Sequence, residues 1–336
     1  MMTIRQLFQK IGAHEDLNFL LTNRIPRITL THVMGWFSQI RTPWVKNASI
    51  AAWQLIADLD LSEAKKSNFD SLHDCFIREL KEGARPIHPD PQVFTSPCDG
   101  IIGAMGRVED GKLYQAKGFP YTLTDLLGDE VAKTPWVDGL YLTIRITSSM
   151  YHRFHAPFDG RLTHVKYFSG DTWNVNPVAL ARVEKLFCKN ERALLNLEIG
   201  PQAYPVALVP VAAVLVASIR LHAIDTLLHT RYKGPHDIPC NASFVKGEEM
   251  GWFEHGSTIL VFVPKSFEFV PELTTGQGIQ MGQALFKLPW PLQCFAPKPS
   301  GARVHPTTCP PSRPLALVAM TPCVLPMPHR QSHPKL

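Results

Sequence analysis

Three stretches of the chain concentrate groups able to move a proton or attack a carbonyl. "SPCDGII" at 96–102 holds Asp99, and "SSMYHRFHAPFDG" at 148–160 holds His152 and His155, three positions apart. "EMGWFEHGSTILVFVP" at 249–264 sets Ser257 directly after Gly256 and ahead of a β-prone apolar run. A carboxylate, an imidazole and a hydroxyl can form a relay in which the ring takes the hydroxyl proton and the carboxylate fixes the tautomer. Asp99, His155 and Ser257 are the candidates for it. Each also has an ordinary structural role, since Asp-Gly and Gly-Ser pairs mark turns. The setting of Ser257 departs from the G-x-S-x-G elbow of α/β-hydrolases, because position 259 is Ile where the elbow needs Gly. A different use of the serine is attack on the backbone carbonyl just before it, where Gly256 carries no Cβ to obstruct the approach. Two histidines so close suit a metal, but no third ligand stands at a suggestive spacing, and no metal is expected.

The elements that must position these groups follow from periodicity. "LYLTIRIT" at 140–147 alternates apolar Leu140, Leu142, Ile144 and Ile146 with Tyr141, Thr143, Arg145 and Thr147, the pattern of a half-buried strand. Shorter strand-like runs recur at 100–108, 161–168, 206–219 and 258–263, with a helix expected at 178–188. The run "YPVALVPVAAVLVASI" at 204–219 is interrupted by Pro210 and reads as one or two buried strands, not as a membrane span. Near the start, Val33, Trp36, Phe37 and Ile40, then Val45, Ala48, Ala52, Leu55, Ile56 and Leu59, recur at helical spacing on either side of Pro43. The fold class expected is α+β: a β-rich body of antiparallel sheets with N-terminal amphipathic helices. Three regions are expected, a helical membrane-contacting region at 1–60, a β-rich catalytic domain at 61–288 and a Pro-rich disordered tail at 289–336.

Composition limits the function. The chain has 336 residues, 45% of them hydrophobic, enough for a full core, and a net charge of +5. Residues 1–50 carry six basic and two acidic side chains, and 289–336 carry five basic and none acidic, so the body is slightly acidic. Basic ends on such a body argue against a nucleic-acid-binding core and suit an anionic membrane surface. Trp36, Trp44 and Trp53 among scattered Arg and Lys suit a helix lying in a membrane interface. Seven cysteines with no C-x-x-C spacing support neither a disulfide framework nor a zinc site. A reducing compartment fits them. The first residues lack an apolar stretch followed by a small-residue cleavage site, so no secretory signal is expected. The tail is about one quarter proline, without a periodic apolar face.

Taken together, "FIREL" at 76–80, "ARPI" at 84–87, "PCDGII", "QAKG" at 115–118, "YHRFH", "KNERA" at 189–193, "KGEEMG" at 246–251 and "HGST" at 255–258 resemble the bacterial, pyruvoyl-dependent phosphatidylserine decarboxylases. The resemblance runs from the N-terminal helices to about residue 288. It implies that Asp99, His155 and Ser257 drive self-cleavage of the Gly256-Ser257 bond, and that His152 serves the decarboxylation step. Ser257 Oγ would convert the peptide bond into an ester, β-elimination would cut the chain, and position 257 would become an N-terminal pyruvoyl group. That carbonyl, in Schiff-base linkage to the substrate amine, is the electron sink that pyridoxal phosphate supplies elsewhere, so neither that cofactor nor a metal is expected. The implied products are phosphatidylethanolamine and carbon dioxide. The implied partners are phosphatidylserine in the membrane and the two associated chains, 1–256 and 257–336; a homodimer is left open. The implied place is the cytoplasmic face of the bacterial inner membrane, as a peripheral protein. His255 stands where apolar residues are frequent in the family, and the tail matches nothing in it. A lineage-specific extension and an altered reading frame both fit that tail.

Two other classes stay open on residue types alone. A Ser-His-Asp hydrolase of lipid esters would keep the chain intact and react with a serine-directed fluorophosphonate. A non-enzymatic membrane adaptor, with Ser257 only a turn residue, would show neither cleavage nor labelling.

Overall fold

The computed structural model describes residues 14–57, 59–115, 119–129, 134–215, 218–254 and 257–289. His255, Gly256 and the tail from 290 onward lie outside them. Helices α1 (Glu15–Asn23), α2 (Arg27–Ser38), α3 (Pro43–Ala57) and α4 (Leu72–Phe76) come first. Strands β1 (Val93–Thr95), β2 (Gly100–Arg107), β3 (Lys112–Tyr114) and β4 (Pro120–Thr122) precede α5 (Leu123–Leu127). Strands β5 (Leu140–Ile146), β6 (Arg153–His155) and β7 (Gly160–Phe168) lead to two single-turn helices, α6 (Pro177–Leu180) and α7 (Leu186–Lys189). Then follow β8 (Arg192–Ile199), β9 (Tyr204–Ala212), β10 (Ser218–Leu221), β11 (Thr226–His229) and β12 (Asp237–Phe244). The last are β13 (Glu249–Phe253), β14 (Ser257–Val263), β15 (Glu268–Phe269), β16 (Gly278–Ile279) and β17 (Ala284–Lys287). The α+β class, with a body of antiparallel sheets and helices at the N-terminal end, is what the periodicity predicts.

An eight-stranded antiparallel sheet in the order β12-β7-β8-β9-β14-β5-β2-β16 carries the body. A four-stranded sheet, β11-β10-β13-β6, supplies the second layer. Ile259, Val261 and Val263 of β14 and Leu142, Ile144 and Ile146 of β5 join Phe154, Ile219 and Phe253 of the smaller sheet in one core. On the opposite face Leu260, Phe262 and Tyr141 join Leu126, Leu180, Leu186 and Phe187 of the short helices in a second core. All seven residues of β14 are therefore buried, which explains why Ser257–Val263 reads as a continuous apolar run after its first two residues.

Two expectations are corrected. The run 140–147 is not half-buried: Tyr141 and Thr143 are covered as fully as the apolar positions between them, because α5 to α7 and Trp136 roof that face. The helix expected at 178–188 is broken into α6 and α7. Lys185 adopts a left-handed conformation, φ 51°, between them, while Asn176 caps α6 and Pro177 takes its first position. The segment 206–219 is two strands in different sheets, β9 and β10. Pro210 is accommodated inside β9 because pairing with β8 lapses between Leu208 and Val211.

Behind the sheet, Asn190 ties three segments together. Its side chain accepts from Trp173 N–H at 2.8 Å and donates to the carbonyls of Trp173 at 2.8 Å and Ala212 at 2.9 Å. Beside it, Glu191 is buried and accepts from the Tyr167 hydroxyl at 2.6 Å. Burial pushes the Glu191 carboxyl up to about 8, and the Tyr167 bond opposes this only in part. Between an ordinary carboxyl value of about 4.5 and about 8, the folded chain holds a proton that the unfolded chain has released. Stability from this group therefore falls as pH rises through that window. Glu191→Gln, which cannot titrate, is expected to flatten the pH dependence of the urea midpoint across the window. An unchanged slope would remove Glu191 as its source.

Candidate active site

Ser257 opens β14 at the point where the chain leaves the smaller sheet for the larger. Phe253 ends β13, three residues separate the two strands, and Ser257 enters pairing with Ile146 of β5 on one side and Ala212 of β9 on the other. Strand alternation places its side chain on the face of Ile259 and Val261, toward the smaller sheet. The residue is fully buried, and its hydroxyl has no hydrogen-bond partner among the described residues. Burying a hydroxyl unpaired costs about 1–3 kcal/mol, so the position is one where ordinary stability would favour Ala.

The segment before the bond is pinned from outside. Phe253 N–H donates to the His152 carbonyl at 2.9 Å, and Glu254 N–H donates to the Ser218 carbonyl at 3.2 Å. The Glu254 carboxylate accepts from Ser218 Oγ at 2.9 Å and lies 3.8 Å from His73 Nε2. His152 is fully buried, its ring 4.0 Å from that of Phe76. Its Nδ1 lies 2.8 Å from the Met150 carbonyl, which can only accept, so Nδ1 carries a proton.

His155 and Asp99 occupy a neighbouring place. The His155 backbone N–H donates to the Pro97 carbonyl at 2.7 Å, which brings the 97–99 segment alongside β6. His155 Nδ1 donates to the Gly247 carbonyl at 3.0 Å, so Nε2 accepts from the Tyr151 hydroxyl at 3.0 Å. Gly247 turns that carbonyl inward from a left-handed conformation, φ 85°, that few other residues adopt. Burial pushes the His155 pKa down, opposed in part by the Gly247 bond, and the ring is held neutral. Asp99 accepts from Arg85 Nε at 2.9 and 3.0 Å, from Arg85 Nη2 at 2.7 Å and from Met281 N–H at 2.9 Å. Gly100 follows it because a Cβ there would overlap the Ile144 side chain and the Arg145 carbonyl.

The structure thus places Asp99 and His155 side by side but gives each its own partners. No side-chain hydrogen bond joins Asp99, His155 and Ser257 among the described residues. Strand register sets His155 opposite Glu249, whereas the His152 carbonyl takes the N–H of Phe253. Four residues of strand, roughly 13 Å, separate those two positions along β13, and His152 is at the end nearer Ser257.

Several residues of the site lay inside the quoted motifs without a role assigned. Arg85 belongs to "ARPI", Tyr151 and Arg153 to "YHRFH", and Gly247 and Glu249 to "KGEEMG". Arg153 donates to both Glu249 oxygens at 2.8 and 2.9 Å and to the Ile77 carbonyl at 2.8 Å, locking β6 to β13 and to the end of α4. Motif membership was the only signal for them. Among the described residues, no group of three or more His, Cys, Asp or Glu is placed to hold a metal.

Arg85 and Asp99 are both nearly buried, with 8% and 9% of their side chains exposed. Removing one partner should therefore strand the other. Arg85→Met is expected to cost about 3 kcal/mol in urea denaturation, with part recovered in Arg85→Met/Asp99→Leu. Strictly additive losses would show that the pair does not couple.

The family model for phosphatidylserine decarboxylase matches residues 72–287. The chain is 35% identical over 269 residues to the phosphatidylserine decarboxylase proenzyme of Psychrobacter arcticus, covering 78% of this chain and 95% of that protein. It is 32% identical over 289 residues to the proenzyme of Saccharophagus degradans, covering 82% and 98%. To that of Vibrio parahaemolyticus it is 35% identical over 271 residues, covering 77% and 94%. With a matched segment that spans Asp99, both histidines and Ser257, the chain belongs to the phosphatidylserine decarboxylase family.

Proposed function

We propose that the chain is a self-cleaving phosphatidylserine decarboxylase whose prosthetic group, a pyruvoyl, is made from Ser257. The observation that carries this is the buried, unpartnered hydroxyl of Ser257 at the first position of a central strand. The curated relatives are named proenzymes, in accord with processing. In this reading Ser257 Oγ attacks the Gly256 carbonyl, and the chain separates into 1–256 and 257–336. A pyruvoyl at 257 supplies a keto carbonyl able to withdraw electrons from the substrate α-carbon. The small chain stays bound because β14 is hydrogen-bonded along both edges, while β16 and β17 pair with β2 and β1 of the large chain.

His155, with Asp99 beside it, is proposed as the base for cleavage. Its Nε2 must first release the Tyr151 hydroxyl. His152 is proposed to handle the proton at the substrate α-carbon, supported by its buried, Nδ1-protonated ring and its place near residue 257. The register favours a second assignment, in which His152 also serves the cleavage step.

The reading also holds that residues 1–60 meet the membrane, 61–288 form the catalytic body and the tail from 289 is separate. Leu20 and Leu21 of α1, Val33 and Trp36 of α2, and Trp44 and Leu55 of α3 are all exposed. Trp36 and Trp44 are 69% and 74% exposed, unusual for side chains whose rings favour an interface. Among the described residues no helix is long and apolar enough to cross a membrane. Peripheral attachment at an anionic, cytoplasm-facing leaflet is the form proposed. An apolar cavity of about 480 Å³ lies between α2, α3 and α4, with Trp53, Phe76 and Leu215 in its walls. It is suited to an acyl chain close to His152.

Carbon dioxide release from phosphatidylserine in mixed micelles tests the activity. Ser257→Ala is expected to abolish it, and full activity in that variant would end the reading. His155→Ala should remain uncleaved, whereas His152→Ala should be cleaved yet lose at least about a hundredfold in turnover. The reverse pattern would transfer the cleavage step to His152.

A further inference from the structure

Arg145 has no part in the chemistry above, yet its placement is unusual. Arg85 is paired with Asp99, Arg153 with Glu249, and Arg192 with the carbonyls of Leu126, Cys188 and Asn190, while Arg78, also buried, donates to the Ser149 carbonyl. Arg145 has neither a hydrogen-bond nor an ion-pair partner among the described residues, and burial alone pushes its pKa down. It sits on β5 opposite Thr258, next to the residue that pairs with Ser257.

Arg145 lines a cavity of about 290 Å³ at the ends of β5 and β9, together with Thr147, Ser148, Asn174 and Asn176. No acidic side chain lines it. Ile146 and Ala213, which adjoin the two strands flanking Ser257, form part of its wall. Ser148 and Leu215 also line the apolar cavity between the N-terminal helices, so the polar and apolar spaces share a wall. An amphiphile can span both with its anion at Arg145 and its hydrocarbon under α2 and α3.

We propose that Arg145 is the specificity residue that receives the phosphodiester of the lipid headgroup in this cavity. The proposal rests on the phosphatidylserine reading and adds the headgroup contact to it. A planar guanidinium donates in a fork that matches phosphate oxygens, and Ser148 and Asn174 supply neutral donors beside it. The substrate carboxylate offers an oxyanion too, but its charge disappears on loss of carbon dioxide. A cation clamped on it would stabilise the ground state more than the transition state. The phosphodiester keeps its charge throughout, so a contact to it acts on KM more than on kcat.

The test uses two soluble probes on full-length Ser257→Ala protein, which has no turnover: glycerophosphoethanolamine, a phosphodiester without a carboxylate, and L-serine, the reverse. Calorimetry is expected to show saturable binding of glycerophosphoethanolamine that Arg145→Met weakens by roughly tenfold or more and Arg145→Lys partly restores. In cleaved enzyme, Arg145→Met should raise KM for phosphatidylserine by a similar factor with a smaller change in kcat. Unchanged affinity and KM in Arg145→Met would overturn the proposal, as would loss of serine binding in place of phosphodiester binding. If the wild type releases no carbon dioxide while Ser257→Ala binds the phosphodiester through Arg145, the site stands and the decarboxylase reading falls.

Discussion

The site depends on how β14 is held. Its backbone is paired along its length with β5 on one edge and β9 on the other, and its side chains are packed into a core on each face. Residue 257 is therefore fixed by groups on both sides, independent of what happens to the bond before it. The segment ahead is fixed separately, through Phe253 to His152 and Glu254 to Ser218. Two rigid sheets thus hold the two ends of a three-residue connection. Rigid ends are what a reaction at a peptide bond needs, since positioning supplies much of the rate when nucleophile and electrophile belong to one chain. The same pairing keeps the C-terminal part in place once the bond is cut.

Burial sets the electrostatic character around this connection. His152 and His155 both donate Nδ1–H to backbone carbonyls, and burial lowers the His155 pKa, which favours its neutral ring with the lone pair on Nε2. Arg85 with Asp99 and Glu63, and Arg153 with Glu249 and Glu79, brace the loop 97–99 and strand β6. Arg145 has no carboxylate partner among the described residues and lines a cavity at the ends of the strands that flank residue 257.

Much of this was legible in the amino-acid sequence, and the rest was hidden for physical reasons. Strands such as β5 and β14 announce themselves by apolar period, and α2 and α3 by helical spacing after a proline. What periodicity could not show was that Tyr141 and Thr143 are roofed, because the helices that cover them come from elsewhere in the chain. Nor could it show that Lys185 reverses the backbone and divides an expected helix. The reactive residue types at 99, 152, 155 and 257 stood out, but their partners did not: Gly247 is 92 positions from His155, and Glu249 is 96 from Arg153. Such contacts belong to tertiary structure, and only the motif runs marked the residues that make them.

The central claim is that Ser257 is consumed to create the catalytic group. Intact-mass spectrometry of the purified, active protein tests it most directly. The account predicts two chains divided between residues 256 and 257, the smaller beginning with a keto group in place of a free amine and blocked to N-terminal sequencing. A single uncleaved chain in a preparation that releases carbon dioxide from phosphatidylserine would contradict it.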